Sequence, residues 1–95
     1  MPIHKYLLGG HYHVVVDEFD SKFVSVGLTS DKPNNPRNQK LHKVYESNGK
    51  IARLKRNADI KDKKNYSKRK ANFNIDIDSE QKAYQIGMNK KNKKK

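Results

Sequence analysis

A small β-rich barrel or α+β domain, built from two hairpins with a C-terminal helix, is the fold class that this 95-residue chain predicts. Three observations predict it. Two β-branched, apolar runs flank a short polar stretch around Asp20. Asn48-Gly49, the strongest short-range hairpin signal, separates two further extended stretches. A capping pattern then opens an apolar-periodic segment near the chain end. Only 33% of the residues are hydrophobic, so a single small core is expected, formed by the first two thirds of the chain. The domain is placed at 1–88 and a lysine-rich tail at 89–95.

Tyr12-His13-Val14-Val15-Val16 and Phe23-Val24-Ser25-Val26-Gly27-Leu28 are the strands of the first hairpin. A short turn centred on Asp20 puts Val14 opposite Val26 and Val16 opposite Val24 on one face. His11, His13, Ser25, Gly27 and Thr29 then share the other face. Two prolines and two asparagines in the stretch after Leu28 end the second strand in a loop. Around Asn48-Gly49, Tyr45 is expected opposite Ala52 and Leu41 near Leu54 on one face, with His42, Glu46, Ile51, Arg53 and Lys55 on the other. Lys50 to Arg56 could also start a helix. From Arg56 the chain is almost wholly polar, which reads as an exposed basic loop over 56–72 with Ile60 and Tyr66 as apolar anchors. Asp78 as N-cap and Gln81 three residues on predict a helix from Ser79 to about Asn89, weakened by Gly87 and followed by lysines that suit a helix C-terminus.

Charge bounds the function. Twenty-two Lys and Arg against ten Asp and Glu leave a formal net charge of +12, concentrated from Arg53 to Arg69 and in the terminal lysines. So large an excess repels itself when compact, and a polymer of phosphates would relieve it. Basic segments outside the core would order on binding. An anionic membrane would also serve, but neither a basic amphipathic helix nor a lipid-anchor motif accompanies the charge, and no apolar run is long enough to span a bilayer. The start lacks a signal-peptide pattern, so a cytoplasmic location is the default expectation. Without cysteine there is no disulfide, thiolate metal site or thiol nucleophile. No phosphate-binding glycine loop, zinc spacing, nucleophile elbow or dinucleotide fingerprint occurs, and no cofactor is expected.

Two constellations could carry chemistry. His11 and His13, two apart on a strand, share a face, as a general acid and base would, or half of a metal site that lacks a third ligand. Thr29 on the neighbouring strand could donate to a phosphate. The competing reading makes these polar residues of a solvated sheet face. The second constellation is basic: Arg53, Lys55, Arg56, Lys61, Lys63, Lys64, Lys68, Arg69 and Lys70 can contact phosphates. Tyr66 and Phe73 between them could stack on unpaired bases or anchor the loop to the core. Basic residues interleaved with aromatics favour RNA or single strands over duplex. Asp76, Asp78 and Glu80 form an acidic cluster that a strand edge running into a helix cap would also explain.

Gly9-Gly10-His11-Tyr12-His13-Val14-Val15-Val16, a hairpin, and Val24-Ser25-Val26-Gly27-Leu28-Thr29-Ser30 together resemble the opening core of the PemK/MazF family of toxin endoribonucleases. The likeness covers roughly residues 9 to 33. It implies a small SH3-like barrel that usually dimerises and cleaves single-stranded RNA without a metal, with Thr29 at the family's catalytic hydroxyl position and Ser30 its neighbour. The family's catalytic arginine falls at or near His11, and the proline that follows it there is missing here. The resulting expectation is an RNA-binding protein, in its specific version a toxin-type endoribonuclease. His11 and His13 would act as acid and base, Thr29 as phosphate-side donor and Arg53 or Arg56 as electrostatic stabiliser. The alternatives are a non-enzymatic nucleic-acid-binding module, and a basic inhibitor or antitoxin-like partner of an acidic protein. An open sheet edge would suit a homodimer.

Overall fold

The computed structural model describes residues 3–5, 11–65 and 71–93. Strands β1 (Ile3–Lys5), β2 (Tyr12–Phe19), β3 (Lys22–Ser30), β4 (His42–Tyr45) and β5 (Ile51–Asp62) form one antiparallel sheet in the order β1-β2-β3-β5-β4. The sheet is a half-barrel, and helix α2 (Ile77–Lys93) completes the small β-rich α+β fold. A four-residue helix α1 (Pro36–Gln39) lies between β3 and β4.

In the first hairpin Phe19 pairs with Lys22 across the turn residues Asp20 and Ser21. Asp20 takes a φ of 52°, a left-handed conformation that aspartate tolerates better than most residues. Val14 faces Val26 as expected, but Val24 faces Asp17, because a bulge at Val16 displaces the pairing. The bulge lets Val16 pack against the core while Asp17 reaches Lys91 of α2 through a 2.6 Å hydrogen bond. That contact, with burial opposing it, holds the Asp17 carboxyl below its usual range.

The second hairpin differs from expectation by one residue. Tyr45 pairs with Ile51 and Val44 with Ala52. The Glu46 N–H donates to the Lys50 carbonyl and the Gly49 N–H to the Glu46 carbonyl, each at 3.0 Å, with Gly49 at φ 90°. Asn48-Gly49 therefore belongs to a three-residue loop closed by a left-handed glycine, where a two-residue turn was expected. One residue of slip exchanges faces. Val44 takes the core position, Tyr45 is 53% exposed, and His42 comes to the helix side.

Strand β5 also corrects the expected basic loop: residues 56–62 belong to the strand, and those from Ala58 to Asp62 pair with β3, Asp62 standing opposite Lys22. Ala58 and Ile60 supply the period-2 apolar face that makes this segment a strand. Between Leu28–Leu54 and Val26–Ala58, three β5 residues, Lys55, Arg56 and Asn57, stand against the single Gly27. The main core, formed by Val14, Val24 and Val26 with Val44, Leu54 and Ala58, is closed by Phe73, Ile75 and Ala83, while Val15 and Phe23 form a separate small cluster.

Helix α2 starts before Ser79 and continues past Asn89, so the expected tail is helical to Lys93. Its cap is Asp76, not Asp78. The Asp76 carboxylate accepts the Ser79 N–H at 3.1 Å, the Ser79 hydroxyl at 2.6 Å and the Tyr45 N–H at 2.9 Å. Burial raises its affinity for a proton, yet these hydrogen bonds outweigh that and lower its pKa. Asp78 and Glu80 occupy the first helical turn, where the helix dipole favours carboxylates. The acidic cluster thus caps and covers β4, whose Tyr45 carbonyl accepts the Asp76 N–H.

Gly87 is a packing requirement. A Cβ there would overlap Val16 Cγ2 and come within 3.3 Å of Val24 Cγ1. Gly87→Ala is expected to destabilise by about 1–3 kcal/mol through overpacking, beyond alanine's helix-propensity gain of about 1 kcal/mol. Thermal unfolding checks this, and a more stable variant would contradict the close approach of helix and sheet.

Candidate nucleic-acid interface

The bulge in β5 creates the first part of the interface. With no ladder partner for three consecutive residues, Lys55 and Arg56 project from the sheet, and both are exposed. Facing them is the loop after β3, which brings Lys32, Arg37 and Lys40. The open groove between has a volume of about 670 Å³ and is lined by these five cations with Asn35, Asn38 and Thr29; no carboxylate is among its described lining residues.

The loop wall is held by polar contacts that its sequence supplies. Asn35 caps α1, its side-chain oxygen accepting the N–H groups of Arg37 (3.0 Å) and Asn38 (3.2 Å), and Pro36 occupies the first helical turn. Buried Asn38 accepts the Lys32 N–H at 2.8 Å and donates to the Ser30 carbonyl at 2.9 Å. Arg53 ties the loop to the sheet. Its guanidinium, in a residue only 8% exposed, donates to Asp31 (3.0 Å), the Leu41 carbonyl (3.0 Å) and Gln39 Oε1 (2.9 Å). Hydrogen bonds from Gln39 and then Arg53 hold the Asp31 carboxyl below its usual range. Arg53 is therefore a positioning residue. Expected to meet phosphate, it is consumed inside the fold.

Thr29 opens in addition onto a second cleft of about 410 Å³, between the start of β2 and the β4–β5 turn. His11, Glu46 and Lys50 give it polar groups; Ile51, Tyr12 and Phe73 give it an apolar side. The Tyr12 and Phe73 rings meet edge to face with centroids 5.0 Å apart. Phe73 is buried as part of the core, so it is an anchor and not an open stacking platform.

The two histidines expected to act together are in different environments. His11 is exposed and lines the cleft, whereas His13 is 8% exposed, with its ring against Gly27 and beside the Lys55 stem. Burial first, then Lys61, Lys55 and His11, lower the His13 pKa to about 4 against the opposing pull of Asp59. The lowered pKa favours the neutral ring at pH 7, and His13 is not among the cleft-lining residues, so the structure does not bring the two histidines together in the cleft. His11 and Thr29 do share the cleft.

Lys63 and Lys64 lie in a 3-10 turn (Lys63–Asn65) after β5, anchored by the Lys63 N–H on the Ser21 carbonyl, and do not line the groove. Tyr66, Lys68, Arg69 and Lys70, like the Gly9-Gly10 loop, lie outside the described residues. Sequence reasoning missed Lys32, Arg37 and Lys40, along with Glu46 and Lys50. The Asn35-Pro36 pair, an N-cap followed by a favoured first helical residue, was the available signal for an ordered loop wall. Among the described residues, no group of three or more His, Asp or Glu could hold a metal ion, and no helix is long and apolar enough to cross a membrane. No family model, curated protein or solved structure matches the chain.

Proposed function

We propose that the protein binds nucleic acid, preferring single-stranded RNA, with the phosphate backbone in the groove between the β5 bulge and the α1 loop. One observation carries this reading: five cations from two separate segments converge on one groove without an intervening described carboxylate. A surface charged only for solubility mixes both signs, whereas a one-sign groove gains affinity by releasing condensed counterions. The adjoining cleft, with room beside the backbone for an unstacked base, favours a single strand over a closed duplex.

The test is fluorescence anisotropy with matched single-stranded RNA, single-stranded DNA and duplex over about 50 to 200 mM salt. Lys55→Gln with Arg56→Gln keeps much of each side chain's bulk and removes two charges. Affinity is expected to fall about tenfold, and the slope of log affinity against log salt to lose about 2. Absence of RNA binding near physiological salt, or an unchanged slope in the double variant, would defeat the proposal.

A second reading, metal-independent RNA cleavage, is favoured by the meeting of His11 and Thr29 in one cleft. Incubating the same RNA with chelator separates the two. Intact RNA supports a binding module, and cleavage that disappears in His11→Ala and Thr29→Ala supports a nuclease.

A further inference from the structure

Glu46 is a carboxylate placed where a phosphate-binding protein should avoid one. It lines the cleft that shares Thr29 with the cationic groove, and its backbone is fixed by the turn hydrogen bonds to Lys50 and Gly49. Among the described residues its side chain has no hydrogen-bond or ion-pair partner. Lys50 lines the same cleft, also without one. Beside them stand the half-exposed Ile51 and the exposed His11 ring, an apolar and an aromatic surface suited to a planar group.

Resting on the groove as the backbone site, we infer that this cleft takes one unstacked base of the bound single strand, and that the base is guanine. The choice follows from hydrogen-bonding edges. An ionised carboxylate only accepts, and guanine is the base whose Watson–Crick edge presents two adjacent donors, N1–H and the N2 amino group. Its neighbouring O6 accepts, which suits the Lys50 ammonium. Adenine and cytosine each set a ring-nitrogen acceptor beside their amino group, against the carboxylate. Uracil offers one N–H between two carbonyls. In each of those cases an acceptor is left facing Glu46 and binding is lost. Thr29, common to groove and cleft, marks where the strand passes from one to the other.

Anisotropy with a labelled oligouridine and with the same oligomer carrying one central guanosine tests the inference. The guanosine is expected to raise affinity about tenfold, the discrimination typical of a bidentate base contact. Inosine, which lacks the N2 amino group, should recover only part of the gain. Glu46→Gln should bring the guanosine oligomer down to the oligouridine level. No guanosine gain, or a gain unchanged in Glu46→Gln, overturns the inference while oligouridine binding separately reports on the groove. If no oligomer binds, the groove reading fails alone. Guanosine monophosphate added to isotope-labelled protein then decides: selective shifts of the Thr29, Glu46 and Ala52 amides that adenosine monophosphate does not reproduce sustain the cleft, and their absence ends it.

Discussion

Replacing Arg53 by methionine is expected to destabilise the protein by about 2–4 kcal/mol and to weaken RNA binding, although Arg53 itself does not line the groove. The substitution keeps an unbranched apolar stem and removes the guanidinium. Asp31, the Leu41 carbonyl and the Gln39 side chain each lose a donor, and part-buried acceptors left unsatisfied account for the cost. Asp31 and Leu41 flank α1 and Gln39 is its last residue, so the loop carrying Lys32, Arg37 and Lys40 would lose its tie to β5. Lysine would not repair it, because one ammonium cannot reproduce the planar fork that reaches separate acceptors. Denaturant unfolding measures the stability change. Amide exchange over residues 32–41 measures the loosened wall. A variant within about 0.5 kcal/mol of the parent, as for an ordinary surface substitution, would mean that the guanidinium does not hold the loop.

The second large effect is a pH dependence that originates at His13. Its pKa is about 4 in the folded protein against 6.5 when unfolded, so between these values the unfolded chain binds more protons. Stability must then rise with pH across that window. The contribution is complete above about 6.5 and is lost as pH falls towards 4, amounting to about 3 kcal/mol at one proton over the whole shift. Lys61, Lys55 and His11 act with burial to disfavour the charged ring, while Asp59 opposes them. Asp17, Asp31 and Asp76, all with lowered pKa values, lose their own contributions at lower pH as each is protonated. His13→Gln should therefore flatten the stability profile between pH 4 and 6.5 and leave the acid limb below it. Urea midpoints measured across that range for both proteins decide the matter, and parallel profiles would place the dependence elsewhere.

The histidine, arginine and turn residues show how far local pattern reaches. His11 and His13 share a parity that suggested a catalytic pair. Burial against Gly27 and beside the Lys55 stem separates their chemistry, and burial depends on what the rest of the chain lays over a residue. Arg53 was indistinguishable by sequence from Lys55 and Arg56. Its parity in β5, one residue before Leu54 and opposite Lys43, directs it under the α1 loop, whereas the bulge releases the next two cations. Asn48-Gly49 correctly announced a hairpin, but which of two loop geometries it adopts sets the faces of Tyr45 and His42, and the contact of Ser79 with His42 and Asp76 completes that arrangement.

By itself the sequence determined the two hairpins, the C-terminal helix, the absence of thiol chemistry and the excess of positive charge. These depend on residue type, nearest-neighbour spacing and simple summation. Only the tertiary structure decided the β3–β5 pairing that extends through residue 62, the Asp76 cap, the approach of Gly87 to Val16, and the joining of Lys32, Arg37 and Lys40 with Lys55 and Arg56 in one groove. Each of these rests on contacts between segments distant along the chain, and local periodicity carries no information about which distant residues will meet.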